Sequence, residues 1–173
     1  GHKGEETDML YKCSAEVNGQ RFVGNVAYPV VWDASKKHEG FDQFFKGRVY
    51  GDRIVRSVSG QPDILVEDNY LSVLPNDGEE IIHMDSLNNQ LLVFKQNTLI
   101  VIDVEVSTEN GDVVSSISST YKFKGITKPY HAAHLEQGIA FINKFGAFIF
   151  TGDDILDITT ERLELKDWNW TDN

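Results

Sequence analysis

His131 and His134, three residues apart, come nearest in this chain to a metal-binding pair. On a helix an i, i+3 pair meets on one face, whereas on a strand the two side chains point to opposite faces. The surrounding segment, residues 129–137, PYHAAHLEQ, reads as a loop entering a strand. Two surface histidines are therefore expected, cationic only once the pH falls to about 6.5. Carboxylates gather at Asp77-Gly78-Glu79-Glu80 and again at Asp153, Asp154 and Asp157. Two carboxyls at a set separation serve glycoside hydrolysis, and several oxygen donors together hold calcium. Neither cluster has the alternation of an EF-hand loop, and Asp-Gly and Asp-Asp are also what tight turns select. Turn chemistry is their expected role.

Ser115, Ser116, Ser118 and Ser119 fall on one strand-like stretch with no G-x-S-x-G elbow to expose a nucleophile. No G-x-x-x-x-G-K-[ST] loop is present. Cys13 is the single cysteine, so neither an internal disulfide nor a cysteine-based zinc cluster can form. The residues thus point to no catalytic group, no metal and no cofactor. The aromatics offer contact rather than chemistry. Trp32, Phe41, Phe44 and Phe45 lie in one interrupting segment, residues 29–47, and are candidate partner contacts. Trp168 and Trp170 share a face if the tail LKDWNWTDN is extended. They are suited to anchoring a partner, stacking on a sugar, or packing a last strand on its neighbour.

The formal charge of -11 argues against a nucleic-acid binder, which needs a basic face to neutralise phosphates, and against docking on anionic lipid. No run approaches the ~18 apolar residues of a spanning helix. The N-terminus, GHKGEETDML, is polar, without the apolar core of a signal peptide. It also lacks an initiator methionine, and a piece of a longer protein is expected.

The elements that must position these residues are read from NNQLLVFKQNTLIVIDVEV, residues 88–106. Leu91 and Val93 point one way, Leu92 and Phe94 the other, and all four are apolar. Lys95-Gln96-Asn97-Thr98 supplies a turn, after which Leu99-Ile100-Val101-Ile102 is again apolar on both faces. β-Branched and aromatic side chains favour strand over helix. A strand pair with no polar face must lie between two other layers. Parallel sheets meet that need only with helical crossovers, and the chain has few candidate helices.

The phrase recurs at a spacing of 48 in GIAFINKFGAFIFTG, residues 138–152, and more weakly as GQRFVGNVAY, residues 19–28. The first copy is interrupted by residues 29–47, and its hairpin resumes at RVYGDRIVRSV, residues 48–58. Each hairpin has a strand-like segment before it and another after it. Repeat units fall at about 9–74, 80–126 and 129–168. Three to four short strands per unit of roughly 40–50 residues is the pattern of a β-propeller, whose blades cover one another's faces. An all-β fold of antiparallel propeller-like blades, partial or open, is expected for one domain over 1–173; a β-sandwich is the alternative. Three blades leave open ends, and an open blade face is a large apolar patch.

Residues 51–104 carry Asp52-Arg53-Ile54, Ser57, Gly60 and Asp63, then the acidic turn Asp77-Gly78-Glu79 with Ile81, then Leu91-Leu92-Val93-Phe94-Lys95. This cadence resembles the propeller repeats of tailed-bacteriophage tail, neck and stabilisation proteins, podovirus-type or crAss-like. Residues 134–159, HLEQGIAFINKFGAFIFTGDDILDIT, look like such repeats too. The resemblance spans roughly residues 17–160. It implies a non-catalytic structural module of a virion, synthesised in the host cytoplasm. Its implied partners are other virion proteins, the rest of its own chain or further copies of itself, with no nucleic acid and no membrane. The alternative from the residues themselves is a carbohydrate-binding or glycan-active propeller domain, which needs two carboxylates and an aromatic converging on one pocket.

Overall fold

The computed structural model describes residues 9–28, 48–58, 60–73 and 77–159. Their strands form three four-stranded antiparallel sheets. The first holds β1 (Leu10–Val17), β2 (Gln20–Tyr28), β3 (Arg48–Val58) and β4 (Gln61–Ser72). The second holds β5 (Ile81–Leu87), β6 (Gln90–Lys95), β7 (Thr98–Val106) and β8 (Val113–Lys122). The third holds β9 (Ala132–Leu135), β10 (Gly138–Asn143), β11 (Gly146–Phe150) and β12 (Ile155–Asp157). In each sheet the strands lie side by side in chain order, as a meander. A 3-10 turn, Pro129–His131, leads into β9. Among the described residues no helix is long and apolar enough to cross a membrane. The fold is all-β, made of curled, propeller-like sheets.

The hairpin chemistry is local. Asn18 and Gly19 both adopt left-handed φ, 51° and 74°, between β1 and β2. Asn-Gly in that conformation matches the twist of the strands on either side. Asn88 repeats it at φ 55° between β5 and β6. At Asn25, φ 57°, β2 carries a register shift between Gly24 and Val26. Asn tolerates that conformation better than a branched residue.

The two-faced hairpin packs as its sequence requires. Leu91, Val93, Ile100, Ile102 and Val104 pack with Val17, Phe22, Ile54 and Val73 of the first sheet and its exit. Leu92, Phe94, Leu99 and Val101 pack with Ile139, Phe141, Phe148 and Phe150 of the third. Alternate residues of β6 and β7 therefore serve two different cores, and the second sheet has no wet central face. Each such side chain contributes roughly 1.5–3 kcal/mol of transfer free energy on full burial. A third cluster, Met9, Val23, Val26, Tyr28 and Val55, lies on the opposite face of the first sheet.

The third hairpin departs from the expectation of two covered faces. Ile139 and Phe141 are buried, but Ile142 on the same strand is 52% exposed. Only one face of the third sheet has a neighbouring sheet among the described residues, so the strand alternates in burial although it does not alternate in sequence.

Candidate functional site

Among the described residues the outer face of the third sheet is apolar and packs on no other sheet: Ala133, Ile142 and Leu156 are exposed, and Ala140, Ala147 and Ile149 half-buried. Register places Ala133 opposite Ala140, Ala140 opposite Ile149, and Ile149 opposite Leu156, a row that crosses all four strands. Ile142 and Ala147 form a second pair on the same side. Leu156 is 45% exposed. At the spacing of 48, Ala140, Ile142, Ala147 and Ile149 correspond to Leu92, Phe94, Leu99 and Val101. Those four are the residues of the second sheet that the third sheet buries. The open face is thus the repeat of a buried interface, with two leucines reduced to alanine.

A second repeated feature ties sheet to sheet. Lys95, the last residue of β6, is fully buried, and its Nζ donates to the Val73 carbonyl at 2.8 Å. It also pairs with Asp77 Oδ2 at 2.6 Å. Asn143, the last residue of β10, donates from Nδ2 to the carbonyls of Phe123 at 3.1 Å and Gly125 at 2.9 Å. Val73 and Phe123 are each the first residue after the last strand of the preceding sheet. Asn25, in the corresponding place on β2, donates to the Ile81 carbonyl at 3.0 Å and to Glu80 Oε2 at 3.2 Å. A polar side chain on the second strand of each sheet, at the strand's end in β6 and β10 and at the register shift inside β2, therefore grips an inter-sheet connection. Buried backbone acceptors need such donors.

The acidic turn is built into the same junction. Asp77 Oδ1 accepts from the Glu79 backbone N–H at 2.9 Å, an Asx turn around Gly78. Burial works to raise the Asp77 pKa, but the Lys95 ammonium and the Glu79 N–H outweigh it and hold the carboxyl below its ordinary range. Glu79 accepts from Asn97 Nδ2 at 2.6 Å, and Glu80 stands 3.5 Å from Lys12 Nζ. The second cluster is likewise engaged in turns. Asp154 Oδ1 accepts from the Ile155 N–H and Asp157 Oδ1 from the Thr159 N–H.

The remaining candidates are dispersed. His131 ends the 3-10 turn with Nδ1 3.4 Å from Thr127 Oγ1, while His134 on β9 sits 3.3 Å from Asp85 Oδ1. Among the described residues no three His, Cys, Asp or Glu side chains converge as a metal site would require. Desolvation pushes the Cys13 thiol up to about 12, against a weaker opposing effect of the Gly24 carbonyl contact and Lys12. A thiol so poised is not a nucleophile near neutrality. Trp32, Phe41, Phe44, Phe45, Trp168 and Trp170 lie outside the described residues.

The sequence reading placed Lys95 in the turn Lys95–Thr98, whereas Lys95 is the last residue of β6 and is fully buried, and the turn itself is residues 96–97; that reading gave Asn25 and Asn143 no role of their own. The signal was present: at spacings of 70 and 48 the three share one column of the repeat, where a polar residue follows a stretch of apolar ones. No protein-family model and no curated protein matches this chain.

Proposed function

We propose that this chain is a non-catalytic module for protein–protein assembly, of the kind that propeller repeats supply in the tail or neck of tailed phages. The observation that carries this reading is the open outer face of the third sheet, whose repeat-equivalent face on the second sheet is a closed interface. Exposed contiguous apolar surface of this kind marks a contact with another macromolecule. The occupant that fits is a further four-stranded sheet of the same build, contributed by another protein of the particle or by the rest of this protein's own chain. Because Ala140 and Ala147 stand where Leu92 and Leu99 stand, that sheet must bring large apolar side chains to fill the shallower surface.

Sedimentation of the chain across a concentration series tests the reading. Lacking its natural cover, the face is expected to drive reversible self-association, and Ala133→Asp with Leu156→Asp together are expected to abolish it. Both residues are exposed, so the variant should keep its melting temperature. A parent that stays monomeric throughout, or a variant that associates as the parent does, overturns the assembly reading.

A further inference from the structure

Beside the third sheet's open face, at the end of the molecule where the β6–β7 turn, the β8–β9 connection and the β10–β11 turn meet, lies a cleft of about 430 Å³. That is within the range of roughly 300–1,000 Å³ of sites that bury a small ligand or a single anchoring side chain. Two aromatic rings line it. Phe123 is 59% exposed and Phe145 50% exposed, and they meet edge to face with centroids 5.3 Å apart.

These rings are held in place by the backbone. Phe123 sits at φ 64°, a left-handed conformation that a bulky residue adopts only when its surroundings impose it. Asn143 braces the backbone on both sides of the cleft. Its Nδ2 donates to the Phe123 carbonyl, and its Oδ1 accepts from the Phe145 N–H at 2.8 Å. One amide side chain thus fixes both walls, which reduces the ordering cost of binding.

The charge around the cleft runs against that of the chain. None of its lining residues is acidic, although the chain carries 27 acids. On the far side of Phe123 and Asn97, Lys122 stands with Asp77 and Glu79, and Asp77 is itself paired with the Lys95 ammonium. Lys144 lines the cleft with its Nζ 5.1 Å from the centre of the Phe145 ring. Glu79, adjoining on the other side of the β6–β7 turn, is engaged by Asn97 Nδ2 and Thr98 Oγ1.

We propose that this cleft receives an extended, acidic segment of a partner protein, anchored by one large apolar side chain packed against the exposed surface of the Phe123–Phe145 pair. The rings match an aromatic or large aliphatic side chain, and Lys144 matches a carboxylate beside it. A saccharide fits less well, since two of the amides that would meet its hydroxyls are already committed: Asn143 to backbone through both polar atoms, and Asn97 to Glu79. The site rests on the assembly reading above and gives one partner of that assembly its chemistry.

Nuclear magnetic resonance titration of the isotopically labelled chain tests it, with a blocked pentapeptide carrying phenylalanine between two pairs of aspartates as probe. Shifts are expected at residues 123–127 and 142–145. Binding should weaken about tenfold or more with Phe145→Ala, with Lys144→Glu, and with alanine in place of the peptide's phenylalanine. It should also weaken as salt is raised. The Ala133→Asp, Leu156→Asp variant should bind as the parent does, so that loss of the sheet-face interaction and loss of this site are told apart. Absence of binding, equal binding of a lysine-flanked peptide, indifference to both cleft substitutions, or stronger occupancy by a uronic-acid oligosaccharide overturns the proposal.

Discussion

Asp77 and Lys95 meet at the junction of the first two sheets, and Asp77→Asn is the substitution that tests what their contact contributes. It removes the carboxylate partner of a fully buried ammonium, so unfolding should become easier by roughly 2 kcal/mol. The effect has a definite pH dependence. The folded-state carboxyl is held below its ordinary range, so the pair's contribution is complete above the usual aspartate pKa of about 4. It is lost as pH falls through the folded-state value. The gap in denaturant midpoint between parent and Asn variant should therefore be widest near neutrality and close in acid. Cys13 gives a second residue-level outcome. With its thiol pushed up to about 12, alkylation by iodoacetamide at pH 8 should be slow in the folded chain and fast after unfolding. Of these residues, the turn role of Asp77 was legible from Asp-Gly. Its ion pair was not, because Lys95 closes a hydrophobic run and nothing in the run itself says that its ammonium turns inward.

At the level of elements, the two-faced hairpin and its copy in the third sheet make a controlled comparison. Leu92 and Phe141 are both buried between sheets, so Leu92→Asp or Phe141→Asp should prevent cooperative folding, read by circular dichroism and thermal melting. Phe94→Ala should cost about 3–5 kcal/mol, whereas Ile142→Ala, at the corresponding place on the open face, should stay within about 1 kcal/mol of the parent. Close backbone approach supplies another test. A Cβ on Gly125 would run into the Lys95 carbonyl oxygen and the backbone of residues 96–97, so Gly125→Ala must displace the β8–β9 connection. It should lower the melting temperature by several degrees. The strands themselves were readable from apolar runs and Asn-Gly-type turns, and β3 resumes at Arg48 where the interrupted copy predicts. What the runs did not reveal was that, among the described residues, residues 139–142 would meet a neighbouring sheet on one face alone. Four consecutive apolar residues look the same whether the outer two await a partner or already have one.

Across the whole molecule, the second sheet depends on both neighbours, because its β6 and β7 feed two separate cores. Removing residues 129–173 would uncover Leu92, Phe94, Leu99 and Val101 at once. Such a chain should bind 1-anilinonaphthalene-8-sulfonate strongly and lose its sharp melting transition, as stacked repeats do when a neighbour is taken away. A truncated chain that melts as sharply as the parent without binding the dye would mean that the second sheet does not need the third.

The amino-acid sequence by itself determined that the chain is all-β, that its central hairpin has no wet face, and that its units repeat, since side-chain alternation on a strand follows from backbone geometry alone. Only the tertiary structure decided which face met which neighbour, that Lys95 and Asn143 reach across to the incoming connections, and that Phe123 and Phe145 stand together at a cleft. Those outcomes depend on contacts between residues far apart in the chain, and local periodicity carries no information about them.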